Sequence, residues 1–231
     1  MTESSRTGQV TDVEHFWGLL EPIQQEVLRR AGRWHAHPAG SVLIREGDAA
    51  ESVLVLLSGR VKVVAVGRSG HQTLLAIRVP GDILGELAAV DDRHRSATVI
   101  AADAVEVLRI PVPAFVEILR AHGAISYSLL RVVSTKLRSA NARRVETGET
   151  TIAQRVSTTL AELAADHGTI VAGEITIMIP LSQEELAMMV GASREAVVRA
   201  LRELRATGLI RTARRQITLL RPDLLSRPHT D

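Results

Sequence analysis

The stretch from Leu181 to Leu201 reads Leu-Ser-Gln-Glu-Glu-Leu-Ala-Met-Met-Val-Gly-Ala-Ser-Arg-Glu-Ala-Val-Val-Arg-Ala-Leu, a spacing that favours two short helices joined by a tight turn. Ser182 followed three residues later by Glu185 is a capping-box pattern. Leu186, Ala187 and Val190 then recur at helical period, and Gly191 stands where a helix C-terminus favours a left-handed residue. Ser193 is placed to cap a second helix that begins at Arg194. On that helix Ala196, Val197, Ala200 and Leu201 share an inner face, which leaves Arg194, Glu195 and Arg199 exposed. Such a helix can carry guanidinium forks and a carboxylate into a DNA major groove. The plain alternative is an αα-hairpin with a solvated charged face.

Charge supports the first reading only through its distribution. Over 231 residues the formal net charge is +2, which does not mark a nucleic-acid binder. Between Gly191 and Arg215, however, seven Arg stand against two Glu. A local basic patch of that kind is the footprint a phosphate backbone selects. Along the helix, Glu203 is expected to pair with Arg199. A hydrophobic content of 45% is enough for a packed core, and the length suits one large domain or two small ones. No apolar run approaches the roughly 20 residues of a membrane helix. The polar start, Met1-Thr-Glu-Ser-Ser-Arg, is unlike a signal peptide, so a cytoplasmic protein with no membrane partner is expected. The chain has no cysteine, which excludes disulfides and thiolate iron–sulfur clusters.

Upstream, the first eleven residues are polar and expected to be unstructured, and 16–27 reads as one or two short helices. Short β-type runs follow at 41–44, 52–57, 60–66, 72–79, 97–101 and 104–110, broken by Gly, Pro and Asp, as in an antiparallel roll or barrel. A short helix is expected at 113–120 and a long one at 124–146. On the long helix Leu130, Val133, Leu137 and Ala140 recur at spacings of three, four and three, the seam of a two-stranded coiled coil; Leu129 and Val132 give it a second apolar side. Residues 147–151 read as a hinge, 152–167 as a helix, 175–180 as a strand, and 209–212 with 216–219 as a closing hairpin, or wing.

The β region holds a second chemical signal. Gly85-Glu86-Leu87-Ala88 can form a turn or helix start whose backbone N–H groups converge on an anion. Arg95 and Ser96 return nine and ten residues after Glu86 with a planar fork and a hydroxyl for phosphate oxygens. Glu86 suits a sugar hydroxyl. Together the set is compatible with a sugar phosphate, although the spacing alone equally allows a structural Glu86–Arg95 ion pair.

The order β-roll, Gly-Glu-Leu-Ala…Arg-Ser-Ala, long helix, Gly-Ala-Ser-Arg-Glu…Arg resembles the cyclic-AMP receptor protein and fumarate–nitrate regulator family of bacterial transcription factors, from about Phe16 onward. The resemblance implies an α+β chain with three parts: a cyclic-nucleotide-binding β-roll over 12–123, a dimerisation helix and hinge over 124–147, and a winged helix-turn-helix domain over 148–231. It implies a homodimer that binds a cyclic nucleotide, cyclic AMP first, and then promoter DNA at a palindromic site with half-sites like TGTGA; RNA polymerase is a further expected partner. By the same resemblance Glu86 matches the residue on the ribose 2′-hydroxyl, with Gly85, Leu87 and Ala88 around it, and Arg95 and Ser96 match those on the phosphate. Lys136 falls where the family's cyclic-AMP binders have Arg. Ala140 and Asn141 fall where they have Thr and Ser facing the adenine. The phosphate–ribose half is therefore intact and the base-reading half changed, which leaves open a different nucleotide or a regulator that works without one. Ser182 and Ser193 are expected on DNA phosphates, beside Arg214 and Arg215 of the wing.

Other chemistries find less support. The eight His form no nucleophilic or metal constellation, so no catalytic residue is assigned. His35 and His37 would share one face of a strand, but no acidic partner completes a metal site. His71 and His94 raise haem only through relatives that bind it. No metal, haem or iron–sulfur cluster is expected.

Overall fold

The computed structural model describes residues 8–9, 15–67, 70–146, 150–171, 173–178, 181–213 and 216–225. The chain begins with β1 (Gly8–Gln9), a 3-10 turn at Phe16–Leu19 and α1 (Pro22–Ala31). Then come β2 (Arg33–His37), β3 (Val42–Ile44), β4 (Ser52–Ser58), β5 (Val61–Val66), β6 (Gln72–Arg78), β7 (Ile83–Leu84), α2 (Glu86–Val90), β8 (Thr98–Ala101) and β9 (Val105–Pro111). Helices α3 (Val112–Ala121), α4 (Gly123–Glu146) and α5 (Ile152–His167) follow. The chain ends with β10 (Gly168–Val171), β11 (Glu174–Ile177), α6 (Gln183–Val190), α7 (Arg194–Ala206), β12 (Ile210–Ala213), β13 (Gln216–Leu219) and α8 (Pro222–Leu225). Two compact units result: Glu14–Asn141, and Ala142–Asp231 together with Met1–Val13.

The first unit is the antiparallel roll. Its two four-stranded sheets have the orders β2-β9-β4-β7 and β3-β8-β5-β6. The sequence of β4, Ser-Val-Leu-Val-Leu-Leu-Ser, is apolar from Val53 to Leu57 because both of its faces are covered. Leu54 and Leu56 point into the roll with Ile44, Val61, Leu84, Val99 and Val107. Val53 and Val55 point the other way, into a cluster with Phe16, Leu28, Phe115, Ile118, Ile125, Leu129 and Val132. Strand alternation thus divides one run between two cores. The second cluster fixes α4 on the roll through Ile125, Leu129 and Val132, the second apolar side read from the sequence. Val133 is half-buried against the same cluster, whereas Leu130 and Leu137 are 59% and 58% exposed and Ala140 is exposed. The 3-10 turn is tied to the turn before β7: Trp17 N–H donates to Gly81 O at 2.9 Å, and His15 Nδ1 lies 3.0 Å from the buried carboxylate of Asp82.

The second unit packs α5, α6 and α7 beside a sheet of order β1-β10-β11-β13-β12. Its core includes the buried residues Val156, Leu160, Leu163, Leu186, Val190, Val197, Leu201, Leu204 and Leu219. The N-terminal expectation is corrected at one place: Gly8 and Gln9 pair with Ile170 and Thr169 on the outer edge of β10. Backbone pairing at a sheet edge needs no apolar pattern, so a two-residue strand leaves no trace in composition. Strand β10 likewise gives little signal of its own, because its glycine, Gly168, serves as the C-cap of α5 and only Thr-Ile-Val follow it. Of the hinge expected at 147–151, residues 147–149 lie outside the described residues and Thr151 is the N-cap of α5; the last residues of the 175–180 strand, 179–180, also lie outside them.

Candidate functional site

In the roll, Gly85 opens α2 with φ +76° in the left-handed region. A Cβ there would collide with the Arg95 guanidinium and sit 3.0 Å from Ile44 Cδ1, so glycine is needed on both counts. Arg95 is 7% exposed. Its Nη1 donates to Gly85 O at 2.9 Å and its Nη2 to Ser52 O. Its backbone is held as well, the N–H donating to Asp48 O and the carbonyl accepting from Gly47, both at 2.9 Å. Among the described residues no carboxylate comes within ion-pair distance of this guanidinium. Burial pulls its pKa below the ordinary value, partly offset by the fields of Glu51, Asp48 and Glu86. Arginine stays cationic at neutral pH even so. The site is therefore a buried cation whose protein partners are neutral carbonyls.

Glu86 is 4% exposed, and its partner is Lys136 rather than Arg95. Lys136 Nζ donates to Glu86 Oε1 at 2.8 Å and to Ile83 O at 3.1 Å, joining α4 to the first turn of α2. The structural Glu86–Arg95 ion pair allowed by spacing does not form. Leu87 and Ser96 are exposed and Ala88 is buried. Ala140 and Asn141, four and five residues beyond Lys136, are both exposed on α4. The structure thus brings Gly85, Glu86, Arg95 and Lys136 together and leaves Asn141 at the surface.

The helix-turn-helix is built as its local signals imply. Ser182 Oγ accepts from Glu185 N–H at 3.1 Å while the Glu185 carboxylate accepts from Ser182 N–H at 2.8 Å and from its hydroxyl at 2.9 Å. The hydroxyl of Ser182 is thereby engaged in the cap. Gly191 takes φ +62°, and Ser193 Oγ accepts from Ala196 N–H at 3.3 Å to start α7. Val197, Ala200 and Leu201 are buried, and Arg194, Glu195, Arg199 and Arg202 are exposed. The Glu195 carboxyl is held below its ordinary pKa, first by its own backbone N–H and then by the Ser193 hydroxyl and Arg194. It is an anionic acceptor at neutral pH. The expected Arg199–Glu203 ion pair is not present among the described residues. Arg214 and Arg215 fall outside the described residues. Arg211 pairs with Glu174 at 2.8 Å, and Arg205 donates to Thr212 at 3.1 Å, so two of the five described Arg in the basic patch have protein partners.

The sequence reading did not find Arg155 of α5, whose Nη1 donates to Val190 O at 2.9 Å at the end of α6. No local pattern betrays it, because its partner lies 35 residues away. His35 and His37 do share a face of β2, with ring centroids 6.3 Å apart. His71 and His94 are exposed. Among the described residues no group of three or more His, Cys, Asp or Glu is placed to hold a metal, and no helix is long and apolar enough to cross a membrane.

A roll with a buried cation, followed by a helix-turn-helix, defines a two-part regulator, and comparison with known proteins gives the same two parts. Residues 34–122 match the cyclic nucleotide-binding domain family, and residues 154–227 match the Crp-like helix-turn-helix domain. The chain is 30% identical over 190 residues to the CRP-like cAMP-activated global transcriptional regulator of Mycobacterium tuberculosis, covering 82% of this chain and 85% of that one. In fold it is similar to CooA of Carboxydothermus hydrogenoformans (TM-score 0.76, 23% identity, 94% and 97% of the two chains covered). It is also similar to the c-di-GMP-responsive global regulator CLP of Xanthomonas campestris (TM-score 0.74, 20% identity, 86% and 99% covered). The chain belongs to the cyclic-AMP receptor protein and fumarate–nitrate regulator family of transcriptional regulators. Members of this family are not enzymes.

Proposed function

We propose that the protein is a homodimeric regulator whose promoter binding is controlled by a cyclic nucleotide in the roll, with cyclic AMP the first candidate. The observation that carries this reading is Arg95: a guanidinium that is buried, bonded only to Gly85 O and Ser52 O, and without a counter-ion among the described residues. A buried charge without an opposite partner is costly, and a cyclic phosphate would supply one. Two of its five N–H groups are used, which leaves donors for phosphate oxygens. Glu86 accepts from the ribose hydroxyl, Ser96 donates to phosphate, and Lys136 and Asn141 of α4 complete the pocket. A second reading, control by another nucleotide or none, draws on one observation: Glu86 and Lys136 are partners at 2.8 Å, so the carboxylate meant for the ribose is already engaged by the protein.

In the second unit Arg194 and Arg199 reach guanine edges and Glu195 a cytosine amino group, while Ser193, Arg214 and Arg215 serve the phosphates. The two copies meet along Leu130, Leu137 and Ala140, with Val133 at the margin, so the DNA site is palindromic; the complex acts in the cytoplasm with RNA polymerase. Two measurements test this. Calorimetric titration with cyclic AMP, cyclic GMP and cyclic di-GMP identifies the effector, and silence with all three favours the second reading. Selection of bound sequences from a random DNA pool, with and without the effector, is expected to return a palindrome only with it. A palindrome recovered equally without any nucleotide defeats the gating.

A further inference from the structure

Helix α6 is eight residues long and carries no basic residue in its last turn. Its negative dipole end and final carbonyls are therefore not met from within the helix. Gly191 N–H and Ala192 N–H both turn back to Ala187 O, which satisfies one carbonyl. The carbonyls of Val190 and Gly191 belong to the turn itself, and both face the guanidinium of Arg155: its Nη1 lies 2.9 Å from Val190 O and 3.5 Å from Gly191 O. Gly191 is required here by its φ of +62° and not by crowding, since a Cβ would lie 3.8 Å from the Arg155 Nη1.

Two features separate this contact from ordinary packing. The Arg155 Nε is buried without a hydrogen-bond partner among the described residues, so an apolar side chain would suit the burial better. The guanidinium is also placed on two residues, Val190 and Gly191, that set where α7 begins, because Ser193 caps α7 two residues after Gly191. At its other end Arg155 belongs to the first turn of α5, directly after the Thr151 cap, in which Thr151 N–H donates to Gln154 Oε1 at 2.8 Å and Gln154 N–H to Thr151 Oγ1 at 3.2 Å. One side chain thus joins the capped start of α5 to the turn of the helix-turn-helix.

We infer that Arg155 is a positioning residue for DNA recognition: by holding the carbonyls of Val190 and Gly191 it fixes the turn that aims α7. It touches no base. The inference rests on α7 being the DNA-reading helix. A mis-set turn loses sequence choice while keeping the charge-driven attraction to any duplex, because the exposed Arg residues remain.

The test uses full-length wild type, Arg155→Met and Arg155→Lys, and reads affinity for the wild type's selected sequence, affinity for random duplex, and the melting temperature of each protein. Arg155→Met is expected to lower the selected-to-random affinity ratio by about tenfold, and Arg155→Lys by about threefold, because one ammonium replaces only part of the fork. Random-duplex affinity stays unchanged in both. The lysine variant keeps the charge and decides the matter if the methionine variant does not fold. A ratio unchanged in folded Arg155→Lys overturns the inference, as does a parallel loss of both affinities with the melting temperature. If wild type selects no sequence at all, it is the DNA-reading role of α7 that fails.

Discussion

The roll site and the helix-turn-helix solve opposite problems. In the roll, the polar side chains that matter are buried and committed to protein partners: Arg95 to two carbonyls, Glu86 to Lys136. In the second unit, Arg194, Glu195 and Arg199 are exposed, and the structure spends its hydrogen bonds on the caps that aim them. A small anion can be enclosed, so its site is built inside a core and tied to stability. A DNA groove cannot be enclosed, so its readers project from a rigid scaffold. Substitutions in the roll should therefore change folding and ligand affinity together, whereas those on α7 should change DNA choice alone.

The largest effect is expected at Arg95. Arg95→Ala removes the guanidinium bonds to Gly85 O and Ser52 O and the counter-charge for phosphate. Affinity for the effector should fall about a hundredfold or more, near 3 kcal/mol, by calorimetry. Undiminished binding would show that the buried guanidinium is purely structural, and the contrast with α7 would lose its basis.

Next comes the Glu86–Lys136 pair. Lys136→Met leaves a buried carboxylate without its cation and should destabilise the roll by about 2–4 kcal/mol, discounted because Lys136 is partly exposed. Adding Glu86→Gln should recover part of the loss, since the pair fails as a unit. Urea unfolding followed by tryptophan fluorescence isolates this unit, because Trp17 and Trp34 are the chain's only tryptophans and both lie in it. Additive losses would mean that the two groups act separately.

The same contrast explains what the sequence disclosed. The signals of the helix-turn-helix lie within 21 consecutive residues, Leu181 to Leu201, and act over three or four positions: Ser182 with Glu185, Ser193 with Ala196, and the left-handed Gly191. Each was legible because capping is local chemistry. The roll site is assembled over long separations: Arg95 meets Ser52 across 43 positions, and Lys136 meets Glu86 across 50. Spacing could name Glu86 and Arg95 as candidates but could not decide whether they pair with each other. Lys136 came only through family resemblance, and Arg155, 35 positions from Val190, did not come at all. Exposure sets another limit: the apolar period on α4 named Leu130, Val133, Leu137 and Ala140 alike, but only the roll's packing shows that Val133 leans inward.

On α7, Arg194→Ala should cost about 1–3 kcal/mol of binding and relax selection at one base position. Its side chain is exposed, so the urea midpoint of this unit, which holds no tryptophan and is followed by circular dichroism, should not move. An identical consensus from variant and wild type would remove Arg194 from base reading, and a shifted midpoint would contradict the separation of folding from recognition in this unit.

The smallest effect concerns acid. Burial alone would raise the pKa of Asp82, but the hydrogen bond from His15, the field of Arg78 and the N–H of Val79 outweigh it, and the carboxyl titrates below its ordinary 3.8. A carboxylate with a depressed folded pKa stabilises the fold fully above its unfolded value, and that contribution is lost as pH falls through the folded one. The window therefore opens below pH 3.8 and concerns only the roll, where Asp82 ties the turn before β7 to the segment around His15. Acid unfolding watched by tryptophan fluorescence should show a steeper loss of roll stability below that pH in wild type than in Asp82→Asn, which keeps the shape but not the titrating group. Parallel acid limbs in the two proteins would place the roll's acid sensitivity elsewhere, and would remove one of the ways in which its buried charges set it apart from the exposed ones of α7.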